Sequence, residues 1–110
     1  MDFDNNHVTI DLDAIAHNFD AVCHKRTAAV MAVVKADAYG HGAIQCAQVL
    51  RDNGVKTFAI ATLQEAIQLR NAGAKERIIC LGLSPDIYAD PAVEYDITPV
   101  FCSYEKAKAY

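Results

Sequence analysis

The 110-residue sequence has no tryptophan, only three prolines and five glycines, and no long apolar run. Without a stretch of about 18 apolar residues, no segment is expected to cross a membrane as a helix. Lysine and arginine form no cluster and the formal net charge is -4, which argues against nucleic acid and anionic membranes as partners. The acidic, polar first six residues lack the features of a secretory signal, so the cytoplasm is the expected location.

Close pairs of metal-ligating residues are also absent. The four cysteines lie 22 to 34 residues apart, whereas zinc sites usually bring their ligands in close pairs. We therefore expect no metal site, and we predict that every cysteine is reduced, buried and structurally inert. The residues concerned are Cys23, Cys46, Cys80 and Cys102, together with His7, His17, His24 and His41.

Four short apolar runs recur along the chain. Hydrophobic residues make up 53% of the sequence, so a disordered chain is excluded. The runs cover residues 31–34, 58–61, 78–81 and 97–101. Continuous runs of this length are typical of strands that are buried on both faces of a parallel sheet. Their spacing leaves room for a helix after each strand, which predicts an α/β fold of βα units with a parallel sheet.

Helix signals lie between these runs. Residues 42–53 carry apolar side chains at helical spacing. Thr62 and Glu65 form a capping box, in which Thr62 accepts from a backbone N–H and Glu65 reaches back. This helix is predicted to end at Gly73, and Ser103 is predicted to cap a last helix.

The beginning and the end of the chain differ from the middle. Residues 7–12 alternate between polar and apolar, like a half-buried strand, and Asp11 or Asp13 is expected to cap a following helix. Ser84-Pro85 predicts a helix start, and Pro91 is expected to end or break that helix.

The number of βα units bears on completeness. The chain holds about four, whereas a closed barrel uses eight in about 250 residues. It also stops inside a helical pattern at residues 107–110. An open sheet needs fewer units, so the count alone leaves both architectures open.

Lys35 directly follows the first apolar run. Active sites of α/β proteins gather at the carboxyl ends of parallel strands. A lysine there can lose solvent, which makes its amine a usable nucleophile. The alternative is an ordinary lysine that extends its ammonium into water.

The loop after Lys35 contains Tyr39, His41 and the glycines Gly40 and Gly42. The glycines allow a sharp turn from strand to helix, and such a loop can approach a phosphate. Two spaced glycines are a weak signal, however. Tyr39 and His41 also suit ordinary loop positions, where an aromatic ring covers the sheet end and a polar group faces water.

One continuous segment resembles the pyridoxal-phosphate attachment motif of the alanine racemase family. It reads Ala32-Val33-Val34-Lys35-Ala36-Asp37-Ala38-Tyr39-Gly40-His41-Gly42. The resemblance extends through residues 9–15, 63–66, 79–82 and 96–100, and so covers nearly the whole chain. It implies that the chain is the N-terminal part of a TIM-type βα barrel, with about four parallel strands and outer helices. Residues 1–30 hold an initial strand and helix, residues 31–110 hold the first four βα units, and the family's C-terminal β domain is absent.

The resemblance also implies an activity. Members of this family interconvert L-alanine and D-alanine, which supplies D-alanine for peptidoglycan, with pyridoxal 5'-phosphate as cofactor and as homodimers. The lysine matching Lys35 attaches to the cofactor and exchanges the α-proton on one face of the substrate. The tyrosine matching Tyr39 binds the cofactor phosphate. A tyrosine from the partner subunit's C-terminal domain serves the opposite face, so these 110 residues are expected to be inactive alone.

Three alternatives stay open at this point. The protein belongs to the same family but racemises serine or a broader set of amino acids. It is a barrel-only carrier of the same cofactor, although such proteins lack the Tyr-Gly-His-Gly pattern of residues 39–42. It is a non-catalytic remnant, since half a barrel leaves strand edges without partners.

Overall fold

The computed structural model describes residues 6–83 and 86–110. Its elements in chain order are α1 (Leu12–Lys25), β1 (Ala32–Val33), α2 (Lys35–Tyr39), α3 (Ala43–Asp52), β2 (Thr57–Ile60), α4 (Leu63–Asn71), β3 (Arg77–Leu83), α5 (Ala89–Glu94), β4 (Ile97–Val100) and α6 (Tyr104–Ala109). A 3₁₀ turn, Asp86–Tyr88, precedes α5. Each strand overlaps one of the four predicted apolar runs.

The four strands form one parallel sheet in the order β1-β2-β3-β4. The register aligns one residue from each strand in a row across the sheet: Ala32, Phe58, Ile78 and Ile97. Phe58, Ile78 and Ile97 in this row are buried, because helices pack against it. The predicted α/β architecture, with parallel strands in sequence order, is confirmed.

The hydrophobic core lies between this face of the sheet and the helices. It joins the buried strand residues to Cys46 and Ala47 of α3 and to Ala66 and Leu69 of α4. Helix α1 covers the cluster from outside through partly buried side chains, which are Leu12, Ile15 and Phe19. Full burial of one large apolar side chain contributes roughly 1.5–3 kcal/mol, so this layer holds the helices on the sheet.

The opposite face of the sheet is more exposed. Its row across the strands is Val33, Ala59, Ile79 and Thr98. Val33 is 40% exposed, and Leu81, further along β3, is 44% exposed. The described helices thus leave apolar side chains of this face accessible.

The predicted strand at residues 7–12 is wrong. Residues 7–11 are irregular, and Leu12 is the first residue of α1. A strand requires a neighbour for its backbone hydrogen bonds, and no described strand pairs with this segment. Val8 is therefore 84% exposed. Asp11 caps α1 as expected, since its Oδ1 accepts a hydrogen bond from the Ala14 N–H at 3.1 Å.

Proline 91 does not end a helix, contrary to the sequence-based expectation. Pro91 lies in the first turn of α5, where the backbone N–H groups have no partner within the helix. A proline costs no hydrogen bond there. The helix start predicted at Ser84-Pro85 falls outside the described residues.

Two other predicted caps are confirmed. Thr62 Oγ1 accepts a hydrogen bond from the Glu65 N–H at 3.2 Å, at the start of α4. Ser103 Oγ accepts one from the Lys106 N–H at 3.2 Å, at the start of α6. These bonds satisfy backbone donors that a helix leaves unpaired at its N-terminus.

The four cysteines form no disulfide with one another, but they are not all buried. Burial is confirmed for Cys46 and Cys80. It is wrong for Cys102, which is exposed in the turn before α6, and for Cys23, which is half-buried on the outer helix α1. Burial, and secondly the negative charge of Asp37, raise the pKa of the Cys46 thiol, which favours its uncharged form.

Arg70 binds the two backbone segments that lead into β3 and β4. Its Nε donates to the Tyr95 carbonyl at 2.8 Å, and Nη2 donates to the Asp96 carbonyl at 2.8 Å. Nη1 donates to the carbonyls of Ala74 and Glu76, at 3.0 and 2.7 Å. A planar guanidinium with a fixed fork of donors suits this arrangement.

Replacing Arg70 with Lys should lower the free energy of unfolding by about 2–4 kcal/mol, because an ammonium cannot reach all four carbonyls and leaves some unpaired. Urea denaturation followed by circular dichroism measures this loss. Arg26→Lys is the matched control, since the exposed Arg26 side chain donates to the Ala28 carbonyl alone. An equal loss in both variants would contradict the role given to Arg70.

Candidate active site at the carboxyl end of strand β1

Lys35 stands directly beyond the carboxyl end of β1, as predicted. Val34 before it is buried in the core, whereas Lys35 is half-buried. Within residues 6–83 and 86–110, no group pairs with the Lys35 amine through a hydrogen bond or an ion pair. The amine is therefore available for contact with a small molecule.

The segment α2 (Lys35–Tyr39) is a left-handed turn and not a right-handed α-helix. Ala36, Asp37 and Ala38 have φ values of 51°, 55° and 54°, and Tyr39 has a φ of 56°. This conformation costs roughly 1–2 kcal/mol for each residue other than glycine. Four such residues in succession persist only where surrounding contacts hold them, and strain of this kind clusters at functional sites.

Bonds within the loop supply part of that support. The Ala38 N–H donates to the Val34 carbonyl at 2.9 Å, and the Gly40 N–H donates to the Ala36 carbonyl at 3.1 Å. The methyl group of Ala38 is buried in the core. The chain therefore turns tightly beside Lys35 instead of continuing as a strand.

Glu65, from the neighbouring βα unit, binds this turn. Its Oε2 accepts a hydrogen bond from the Ala36 N–H at 2.9 Å, and its Oε1 accepts one from the Thr62 hydroxyl at 3.2 Å. The capping-box pattern predicted that Glu65 would reach back to the start of its own helix. It does so only through the Thr62 side chain, because its second oxygen is engaged by Ala36.

Asp37 performs the capping that Gly42 cannot perform. Gly42 precedes α3 and has no side chain. Asp37 Oδ1 accepts a hydrogen bond from the Ala43 N–H at 2.8 Å, and the Asp37 carbonyl accepts one from the Gly42 N–H at 2.9 Å. The left-handed turn is thereby tied to the first turn of α3.

Tyr39 and His41 differ in their surroundings. Tyr39 is 61% exposed, and its hydroxyl has no partner in the described part of the chain. His41 Nδ1 lies 3.0 Å from the Ala38 carbonyl, so its ring is engaged with the loop. Lys35 and Tyr39 stand at the same strand end; that both side chains reach one ligand stays a prediction.

Two clefts border the loop. One of about 270 Å³ lies between the loop and α4 and includes Asp37 and Glu65 in its lining. The other, of about 380 Å³, lies beside Ile10 and His41. Lys35 lines neither cleft.

Among the described residues, no three His, Cys, Asp or Glu side chains form a group that could hold a metal ion. No helix in the same part of the chain is long and apolar enough to span a membrane.

Residues 10–110 match the family model described as alanine racemase, N-terminal domain. The chain belongs to this family. Alanine racemase from Clostridium tetani is 43% identical over 102 residues, and the match covers 90% of this chain and 26% of that relative. The chain thus spans about a quarter of the length of the alanine racemases that it matches.

Solved structures give the same result. An alanine racemase from Clostridium difficile superposes with a TM-score of 0.87 at 33% identity, covering 91% of this chain and 27% of that one. A histidine racemase from Leuconostoc mesenteroides superposes with a TM-score of 0.84 at 36% identity, covering 89% and 27%. The four-stranded sheet of this chain is therefore the N-terminal part of the barrel domain of the alanine racemase family.

Sequence reasoning missed Asp37 and Glu65 as structural partners of the loop after Lys35. The motif predicted no structural contact for Asp37. The capping box predicted only a contact between Glu65 and the start of its own helix. Asp37 precedes a helix whose cap position is glycine, a signal that pointed to a cap from elsewhere. No local signal pointed from Glu65 to Ala36, because the contact joins different βα units.

We expect Asp37→Ala to lower the free energy of unfolding by about 1–2 kcal/mol, because the helix cap is lost. Asp37→Asn should stay within about 0.5 kcal/mol of the original, since asparagine tolerates left-handed angles and its oxygen still accepts from Ala43. Urea denaturation compares the two. Asp52→Ala, which removes a surface contact with Gln48, is the control. Equal stability of the Ala and Asn variants would refute the cap.

Proposed function

We propose that the chain carries the cofactor-attachment lysine of an enzyme that interconverts L-alanine and D-alanine. In this proposal residues 1–110 are the N-terminal part of the barrel domain: residues 1–30 precede four βα units formed by residues 31–110, and a C-terminal β domain lies beyond them. The observation that carries the proposal is an unpaired amine, that of Lys35, at the carboxyl end of β1 in a chain of the alanine racemase family.

The residues at this strand end suit pyridoxal 5'-phosphate. Its aldehyde requires an amine, and Lys35 supplies one that no described residue occupies. The phosphate of this cofactor requires hydrogen-bond donors. The Tyr39 side chain is exposed, and its hydroxyl is such a donor. When bound, this cofactor withdraws electrons from the α-carbon of an amino acid and makes the α-proton acidic.

Lys35 then acts as a general base and acid. Its amine accepts the α-proton on one face of the substrate and returns a proton to the same face in the reverse direction. Tyr39 holds the phosphate and so fixes the distance between the α-carbon and the lysine amine. Inversion needs a second acid–base group on the opposite face, which the family resemblance assigns to a tyrosine of a partner subunit. We accordingly propose a homodimer for the whole protein.

The amino acid itself is less constrained than the reaction. A histidine racemase matches this chain about as well as alanine racemases do. These 110 residues therefore suit more than one substrate side chain, and a racemase for serine, histidine or several amino acids is the second candidate.

We also propose that the enzyme works in the cytoplasm. The four cysteines form no disulfide with one another, which suits a reducing compartment. Cys102 is exposed, so an oxidising environment would leave it open to disulfide formation with other thiols.

Borohydride reduction in the presence of pyridoxal 5'-phosphate should place the phosphopyridoxyl label on Lys35. Peptide mapping by mass spectrometry locates it. Lys35→Arg should abolish most of the label, whereas Lys75→Arg, at an exposed position, should leave it unchanged. Label spread evenly over Lys25, Lys56 and Lys75 would show that Lys35 is not special.

The 110-residue chain alone should show no meaningful racemase activity. Loss of one positioned general acid–base costs about 10²–10⁴-fold, and the second base lies outside these residues in the proposal. Incubation with pyridoxal 5'-phosphate and L-alanine, followed by chiral chromatography for D-alanine, measures this. A Lys35→Arg preparation controls for contaminating enzyme. Turnover that depends on Lys35 would place the second base within this chain.

A further inference from the structure

The peptide group between Lys35 and Ala36 determines where the lysine points. The Ala36 N–H and the Lys35 carbonyl lie in one rigid plane. The chain before Lys35 is anchored, because β1 pairs with β2 and the Val34 N–H donates to the Ala59 carbonyl. Holding the Ala36 N–H in place as well restricts both backbone dihedrals of Lys35, and with them the direction of its Cα–Cβ bond. Glu65 Oε2 accepts a hydrogen bond from this N–H at 2.9 Å.

Glu65 is itself held by two hydrogen bonds with Thr62. The Thr62 hydroxyl donates to Oε1 at 3.2 Å, while Thr62 Oγ1 accepts from the Glu65 N–H at 3.2 Å. Ala66 and Leu69 on the same helix are buried in the core, so the backbone that carries Glu65 is fixed to the sheet. An acidic group is also favoured in the first turn of a helix.

The turn that is hydrogen-bonded to Glu65 can adopt another conformation. Ala36 is left-handed, with φ 51° and ψ 48°, and a non-glycine residue relaxes toward right-handed angles where nothing opposes it. Such a relaxation takes the Ala36 N–H away from Glu65, and the backbone dihedrals of Lys35 are then no longer restricted from this side. A contact from a second strand unit opposes this movement more effectively than bonds within the loop, which move with it.

We propose that Glu65 is a positioning residue that holds the Lys35 amine in its reactive direction through the Ala36 N–H. The inference rests on the proposed function, since it concerns how readily Lys35 attaches to the cofactor. Glu65 touches neither substrate nor cofactor in this role. It makes β2 and α4 part of the machinery that orients the lysine of β1.

Two variants separate positioning from simple helix capping. Glu65→Ala removes both carboxylate contacts but leaves Thr62 capping the backbone of α4. Glu65→Gln keeps both contacts, because its carbonyl oxygen accepts from Ala36 and its amide donates to Thr62 Oγ1. Ser103→Ala is the control for a general loss at a helix start, since it removes a backbone cap far from β1 in the sequence.

The first measurement is amide hydrogen exchange by NMR on the chain without cofactor. Exchange at Ala36, relative to that at the core residue Phe58, should rise about tenfold in Glu65→Ala, as expected for loss of one charge-assisted hydrogen bond. The ratio should stay within about threefold of the original in Glu65→Gln and Ser103→Ala. Comparison with Phe58 removes the effect of global stability.

The second measurement is the rate of borohydride-trapped labelling at Lys35. It should fall about tenfold in Glu65→Ala and recover in Glu65→Gln. Labelling of Glu65→Ala at the original rate, or equal slowing in Ser103→Ala, would overturn the proposal. If Lys35 of the unaltered chain takes no label, the proposed function fails instead, and unchanged Ala36 exchange in Glu65→Ala would overturn the Glu65 contact independently.

Discussion

The register between β1 and β2 is the constraint on which the site depends. Phe58 lies opposite Ala32 in the row that faces the helices, and it is completely buried. A shift of one residue would turn this ring to the open face of the sheet and lose roughly 1.5–3 kcal/mol of burial. The same register brings the ends of the two strands side by side. The register that buries Phe58 therefore also places Glu65 beside the backbone that follows Lys35.

Much of this arrangement follows from the sequence, because its signals are local and repeated. Apolar runs such as residues 78–81 mark buried strands, and their spacing requires crossover helices. Thr62 and Ser103 are polar residues directly before helical patterns, where a cap satisfies unpaired backbone donors. The position of Lys35 at a strand end follows from the same reasoning, since it directly follows the apolar run of residues 31–34.

Other features depend on contacts between distant residues and have no local signature. The left-handed angles of residues 36–39 contradict the preferences of alanine and tyrosine, and contacts around them override those preferences. Residues 7–11 alternate like a strand, yet they find no neighbour among the described strands. Pro91 was expected to break a helix, but α5 begins at Ala89, so the proline lies in the first turn, where it is tolerated.

The order of the strands has a consequence for synthesis of the chain. Each strand pairs with the one made just before it, so the sheet can grow from its N-terminal end while the ribosome is still translating, and each new strand meets a partner that is already folded. The apolar side chains of Val33 and Leu81 are exposed on the open face of this sheet. Exposed apolar surface of this kind makes a growing chain prone to aggregation until later residues cover it.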